Sequence, residues 1–309
     1  MPCSIEVSVP ATSANLGPGY DTFGLALDIA DEVVAELHSS PVDLSSCVEV
    51  TGQGAGQVPA SSDHLIHRVV REVLDHHGSA ELADRLTLRC ANTIPHSRGM
   101  GSSAAAVVAG ISIADALLAC VGRGELCEAE RLAWAVHFEG HADNAAPALF
   151  GGVSISMADA QGSPRSVSVP AHPAVRAVLV VPDTTLDTDY ARSFIPEQVP
   201  HADAVANSAA AALFIHAIGR DPSLLFAATE DHLHQEYRRP AMPETLARVD
   251  ALREHGLAAV VSGAGPTALV LGTGEDLRDE VVSVIGEDDA DVIAASIADF
   301  GATITRTGA

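Results

Sequence analysis

The chain has 309 residues, and since domains average roughly 100–200 residues this length predicts two of them. Apolar residues make up 47% of the chain but aromatic ones only 4%, so the core is expected to consist of Ala, Val, Leu and Ile. The net charge of −24 argues against nucleic acid and anionic membranes as partners, and no long basic run makes a local exception.

All 17 basic residues are Arg; the chain contains no Lys. A Walker A loop needs Lys after its glycines, a protein kinase needs a strand Lys on the phosphates, and pyridoxal enzymes and Schiff-base aldolases need a Lys amine. All of these are excluded, whether or not coding bias is the origin of the composition. The cysteines (Cys3, Cys47, Cys90, Cys120 and Cys127) are odd in number, widely spaced and without a C-x-x-C pair. That pattern argues against a disulfide framework or a structural zinc site. No basic flank and apolar run open the chain, so no signal peptide is expected, nor is there a charge-free stretch of about 20 apolar residues. The expectation is a soluble protein of the reducing cytoplasm.

In chain order, Ile5 to Val9 alternates apolar and polar residues and predicts a strand ending at Pro10. Residues 11–24, rich in Gly, Ser, Thr, Asn and Pro, predict a loop. Leu25 to Leu37 predicts a strand. Leu65, Val69, Val73 and His76 recur at helical spacing within a helix over 62–77, capped by Ser62 or Asp63. A strand is expected over 85–92, a loop from Pro95 to Gly101, then helices over 102–119 and 125–139. Gly151-Gly152 opens a strand from Val153 to Met157. Residues 158–174, with Gly162, Pro164, Pro170 and Pro173, predict a linker. Beyond it come a buried strand over 175–181, helices over 201–218, 222–236 and 243–255, two strands around the turn Gly263–Thr267, an acidic helix over 275–285 and a terminal strand. This irregular alternation predicts α+β rather than a doubly wound sheet.

The segment Ile94-Pro95-His96-Ser97-Arg98-Gly99-Met100-Gly101-Ser102-Ser103-Ala104-Ala105 is the most informative. Gly99 and Gly101 let the backbone curl, and Ser102 and Ser103 begin a helix whose N-terminus presents free N–H groups and partial positive charge. Ala104, Ala105 and Ala106 keep the first turn slim, and Arg98 adds a full charge. Read alone, the pattern fits a phosphate cradle and a Gly-Ser turn capping an Ala-rich helix equally well.

The twelve residues together resemble the ATP-binding loop of the GHMP kinases, P-x-x-x-G-L-G-S-S-A-A, with Met100 for Leu and Arg98 where a small residue is usual. Two further motifs of that superfamily stand in order: Pro10-Ala11-Thr12-Ser13-Ala14-Asn15-Leu16-Gly17-Pro18-Gly19-Tyr20-Asp21-Thr22-Phe23-Gly24, and Ser262-Gly263-Ala264-Gly265-Pro266-Thr267. The first is similar to the homoserine kinase branch, as are Glu139-Gly140-His141-Ala142-Asp143-Asn144, Thr188-Asp189-Tyr190-Ala191-Arg192, and Asp231-His232-Leu233-His234-Gln235-Glu236-Tyr237-Arg238, where Glu236 replaces a usual Pro. The resemblance runs from residue 8 to about 272.

It implies an α+β protein of two lobes: an N-terminal ribosomal-protein-S5-like, ATP-binding lobe with a left-handed βαβ crossover (1–168) and a ferredoxin-like C-terminal lobe (169–309). It implies ATP-dependent phosphorylation of L-homoserine to O-phospho-L-homoserine, in threonine biosynthesis, with Mg²⁺ as cofactor and often a homodimer. Arg192 and Arg238 would hold the amino acid's carboxylate, since an Arg fork matches that group. Asn15 and Asp21 would meet its polar ends, with His141, Asn144 and Thr188 alongside. The resemblance assigns Ser103 and Glu139 to the metal ion, although Glu139 read alone is a solvated helix charge. No dedicated general base is expected; Asp143 and Asn144 occupy the region where the mevalonate branch has one. The histidine pairs 64/67, 76/77, 137/141 and 232/234 are read as surface or structural histidines, His141 excepted, because no Cys or carboxylate completes a tetrahedral set. Trp134 is read as core and Arg239 as a surface charge. Two alternatives stay open: another small alcohol such as mevalonate or shikimate as acceptor, and a binding or regulatory protein of the same fold.

Overall fold

The computed structural model describes residues 3–286 and 290–307. Its larger sheet begins with β1 (Cys3–Ala14) and β2 (Phe23–Leu37), paired antiparallel. Ile5, Val7 and Val9 face inward, and the alternation then stops: every residue from Val9 to Ala14 is buried. The strand therefore does not end at Pro10. A register shift at Pro10/Ala11 absorbs the proline, which a strand tolerates at such an irregularity. The loop expected over 11–24 shrinks to residues 15–22.

A third strand, β3 (Val48–Gly52), was not expected; it pairs parallel with β4 (Leu86–Asn92). α1 (Leu65–His76) makes that crossover, its first turn capped by His64 Nδ1, which accepts the Ile66 N–H at 3.3 Å. α2 (Ser102–Cys120), α3 (Glu128–Glu139) and the short, unexpected α4 (Ala145–Phe150) follow. β5 (Val153–Ala158) pairs with β2, and β6 (Pro164–Val169) pairs with β5. β6 thus lies within the segment read as a linker.

The smaller sheet holds β7 (Val175–Pro182), β8 (Ala258–Val261), β9 (Ala268–Thr273) and β10 (Ala290–Ala295) in the order β10-β7-β9-β8, with every pair antiparallel. With α5 (Thr188–Arg192), α6 (His201–Gly219), α7 (Leu225–Ala228) and α8 (Pro243–Glu254) between β7 and β8, and α9 (Leu277–Ile285) between β9 and β10, this is the ferredoxin-like order. β7 is apolar without alternation because both faces are covered. Val178 and Val180 join Leu246 and Val249 of α8 in one core, whereas Leu179 and Val181 join Phe214 and Ile218 of α6 in the larger one.

β11 (Thr303–Thr307) returns to pair with β1. The expected division at 168/169 falls at the last residues of β6, and the chain's final strand lies in the first sheet. The helix expected over 222–236 is broken after α7. Asp231 captures the backbone N–H groups of Leu233, His234 and Gln235 (3.0, 3.1 and 2.7 Å), a side-chain competition that ends helices. Among the described residues, two helices, α2 and α6, are long and apolar enough to cross a membrane by length and composition. Each carries an Asp, Asp115 or Asp203. α2 is the central helix of the larger core, and α6 buries Asn207, Ala210, Phe214, Ala217 and Ile218. Trp134 is half-buried against His76, His137 and Phe138.

Candidate active site

The phosphate loop between β4 and α2 is tied to two distant segments. Thr12 N–H donates to the Met100 carbonyl (3.1 Å), Ser262 Oγ donates to the Gly99 carbonyl (2.6 Å), and Thr267 N–H donates to the Arg98 carbonyl (3.3 Å). Gly263 N–H in turn reaches the Ala14 carbonyl (3.0 Å). The three glycine-containing motifs are therefore one construction. Gly99 and Gly101 have φ of +74° and +70°, a region that favours glycine. A Cβ on Gly101 would stand 1.9 Å from Thr12 Oγ1, and one on Gly99 2.3 Å from the Ser262 carbonyl.

Beneath this loop lies a polar cavity of about 350 Å³. Ser97, Gly99, Met100, Gly101, Ser102 and Ser103 line its phosphate-loop side, at the N-terminus of α2. Ser103 Oγ donates to Glu139 Oε1 at 2.5 Å, and Glu139, from the end of α3, lines the same cavity. Burial pushes the Glu139 carboxyl up, and the Ser103 hydrogen bond opposes that. Asn144 Oδ1 accepts from Thr12 Oγ1 (2.8 Å). His141 also lines the cavity, and burial, then Arg192, lower its pKa.

The other side holds charges. Arg192, at the end of α5, pairs with Asp21 through Nη1–Oδ2 and Nη2–Oδ1 contacts of 3.0 and 2.5 Å and donates to Tyr20 Oη at 2.9 Å. Burial works against the Arg192 charge, but the Asp21 hydrogen bonds and charge outweigh it and raise its pKa. Asp21 is held by its own backbone: at φ +54° its N–H donates to Asn15 Oδ1 (2.9 Å). Asn15 Nδ2 reaches across to the Gly263 carbonyl (2.8 Å). Arg238 is fully buried, and burial lowers its pKa. Thr188 completes this wall. Asp143 also lines the cavity; burial and then Asp21 push its pKa up to about 6, and its Oδ1 accepts the Asn144 N–H (2.9 Å).

Seven expected site residues lie outside this cavity. Asp21 lies behind Arg192 rather than on the cavity surface. Pro95 is buried below the loop. Gly265 packs against Met242. Arg98 adds no charge to the cradle: its Nη2 donates to the Asp183 carbonyl (2.9 Å), away from the cavity. His96 and Ala105 line a second cavity, with Ala104 buried beside them. This second space of about 440 Å³ adjoins the first across Ser97, Ser102 and Ser103, and Val58, Pro59, Leu65, Ile66 and Ala106 give it apolar walls. Sequence reasoning missed it, as it missed roles for Tyr20, Thr12 and His234. Tyr20 and Thr12 stand inside the first motif, which was the signal available. Among the described residues, no group of three or more His, Cys, Asp or Glu is placed to hold a metal ion.

Family models for the "GHMP kinases N terminal domain" and "GHMP kinases C terminal" match residues 64–152 and 210–291. The curated homoserine kinase of Clavibacter michiganensis is 46% identical over 283 residues, which is 92% of this chain and 87% of that one. The chain belongs to the homoserine kinase family. The homoserine kinase of Streptomyces avermitilis is 43% identical over 92% of this chain and 90% of its own length. Among solved structures, homoserine kinase from Cytophaga hutchinsonii matches with a TM-score of 0.81 at 25% identity, covering 98% and 97% of the two chains. Mevalonate kinase of L. major matches at 0.70 with 17% identity, a likeness of fold alone. In this homoserine kinase family member, the polar cavity therefore lies where all the quoted motifs converge.

Proposed function

We propose that the chain transfers the γ-phosphoryl group of ATP to the hydroxyl of L-homoserine, giving O-phospho-L-homoserine and ADP as a step toward threonine. The observation that carries this reading is that Arg192, held by Asp21, and Arg238 stand on one wall of a cavity whose opposite wall is the phosphate loop. A zwitterion with a terminal hydroxyl needs cations for its carboxylate, an anion for its ammonium, and its hydroxyl turned toward the γ-phosphate. Mevalonate and shikimate carry no ammonium for the cavity-lining carboxylates Asp143 and Asp189 to receive.

Phosphoryl transfer is mostly positioning and charge neutralisation. The N–H groups at the start of α2 and the curled backbone of Gly99 and Gly101 would receive phosphate oxygens. The apolar second cavity would take the nucleoside. Ser103 and Glu139 offer two oxygen ligands in contact at the cavity surface, a donor set suited to Mg²⁺ beside phosphates; the ion would supply charge neutralisation. The hydroxyl oxygen forms the new bond to phosphorus, the bond from that phosphorus to the β–γ bridging oxygen breaks, ADP leaves, and the hydroxyl proton is released. Asp143 is assigned to holding its own loop through the Asn144 N–H rather than to removing that proton.

The free cysteines and the charge of −24 support a cytoplasmic enzyme whose partners are small molecules rather than nucleic acid or membrane. A homodimer, which the resemblance implies, is checked by light scattering. The reaction is tested by ³¹P NMR of protein, MgATP and L-homoserine. A new phosphomonoester signal appearing with ADP is expected; ATP hydrolysis to inorganic phosphate alone would contradict it.

A further inference from the structure

Arg238 heads the largest fully buried side chains among the described residues. A buried guanidinium with freedom to turn would make a poor receptor, because its charge tolerates little displacement from its partners. What fixes it is a neighbour one helical turn earlier. Arg238 Nη1 lies 3.2 Å from His234 Nδ1 and donates to the Gly263 carbonyl (3.1 Å). Its Nε is buried with no hydrogen-bond partner, and the residue lines the polar cavity.

His234 is itself fully buried. Its Nε2 lies 2.8 Å from the Gly17 carbonyl, and a carbonyl only accepts, so Nε2 carries the proton. Nδ1 is then a lone-pair acceptor, aimed at a guanidinium that only donates. Asp231 closes the arrangement from below, with Oδ1 3.4 Å from Nε2 and its side chain buried. The imidazole stacks on Tyr20 with ring centroids 5.2 Å apart, and Arg192 and Arg238 each lie 5.5 Å from the centre of the same ring. Two lobes meet in this stack: Gly17 and Tyr20 come from the first motif, and His234 and Arg238 from the segment after α7.

We propose that His234 is a positioning residue for the acceptor's carboxylate: as the Nε2–H tautomer it links the Gly17 carbonyl to Arg238 and fixes the guanidinium at the cavity wall. The inference rests on the functional reading above, since it takes a carboxylate as what Arg238 receives. A protonated His234 would lose the accepting lone pair and set two cations together. Burial and Arg238 favour the neutral ring, Asp231 and Asp21 oppose it, and the balance lies on the neutral side. Tyr20, whose own pKa burial raises, stays a neutral platform.

The test compares L-homoserine with 3-amino-1-propanol, the same molecule without its carboxylate, as substrate or competitive inhibitor. His234→Leu is expected to raise KM for L-homoserine about 10–100-fold, the size of a lost hydrogen bond to a charged group. kcat and KM for ATP should stay within about threefold, and the amino alcohol should not respond. His234→Asn, whose Oδ1 can stand in for Nδ1, is expected to recover most of the loss. Equal losses with both compounds, or an Asn variant no better than Leu, would overturn the proposal. A second arm needs no substrate: ¹⁵N NMR of histidine-labelled wild-type protein should show His234 as the neutral Nε2–H tautomer at the pH, about 6.5, where an ordinary histidine is half charged. An Nδ1–H tautomer or a charged ring there would overturn it even if another alcohol were the acceptor. A wild-type protein that ignores L-homoserine yet shows the expected tautomer would instead remove the functional reading and leave the positioning of Arg238 standing.

Discussion

The two ends of the site are built by different means. The phosphate end is backbone: Gly99, Gly101 and the first turn of α2 make it, and its carbonyls at Arg98, Gly99 and Met100 are held by the Thr267 N–H, the Ser262 hydroxyl and the Thr12 N–H. The acceptor end is side chains gathered from four places in the sequence: Asp21, Asp143, Arg192 and Arg238. Its order comes from one charge pair, Arg192 on Asp21, and one hydrogen bond, Arg238 on the neutral His234 ring. A backbone cradle suits any triphosphate, because every phosphate presents the same oxygens. A set of opposed charges suits one zwitterion, and its errors are expensive in a site shielded from water. Substitutions at the two ends should therefore separate cleanly into nucleotide effects and acceptor effects.

The largest expected effect breaks the acceptor end. Arg192→Leu removes a cation from the carboxylate's wall and leaves Asp21 without its partner, and kcat/KM for L-homoserine is expected to fall about 10²-fold, as for loss of one member of a half-buried charge pair. KM for ATP in steady-state assays should stay near the wild-type value. A matching loss in ATP affinity would mean the two ends are not independent.

Asp143→Asn sharpens the comparison by separating folding from chemistry. The Asp143 pKa, raised to about 6 from 3.8, means the native state holds its proton more tightly than the unfolded chain. Stability is therefore lost as pH rises from about 4 to about 6 and stays lost above that. The Asn variant should recover up to about 3 kcal/mol at pH 7.5, read as a higher urea midpoint, with little gain at pH 4. Its kcat should remain within about tenfold, because proton abstraction is expected to contribute about 10²–10⁴-fold where a base exists. Loss of turnover from a folded variant that still binds ATP would make Asp143 the base.

At the nucleotide end, Ala106→Leu intrudes on the apolar second cavity. It should raise KM for ATP about tenfold, a modest overpacking cost, and leave KM for L-homoserine alone. The smallest effect belongs to Arg98→Ala. Since that guanidinium serves the Asp183 carbonyl, KM for ATP should change less than about threefold, the scale of an ordinary hydrogen bond.

The same contrast explains what could be read from the sequence. The phosphate loop is contiguous, and its glycines, serines and helix start were legible at once. The acceptor residues were legible only because family motifs marked them; nothing in their spacing puts Asp21 against Arg192, 171 positions apart. Strands with two buried faces, such as β7, were read correctly from apolar runs. β6 was hidden because Pro164 and the preceding glycine mask its alternation, and β3 because its outer residues are exposed. The helix over 222–236 was over-read, since helical periodicity carries no sign that Asp231 will seize three backbone N–H groups. Arg98 was given to the phosphates because a charge beside a glycine loop is attractive on paper; only the fold shows which way it turns.

The central claim is that the acceptor end is matched to one zwitterion. The most direct test is ADP release by purified protein with MgATP, offering L-homoserine, D-homoserine, L-serine, mevalonate and shikimate in parallel. Strong Mg²⁺-dependent release with L-homoserine alone is the predicted result. Comparable release with mevalonate or shikimate, which carry a carboxylate but no ammonium, or none with any acceptor from protein that binds ATP, would contradict it.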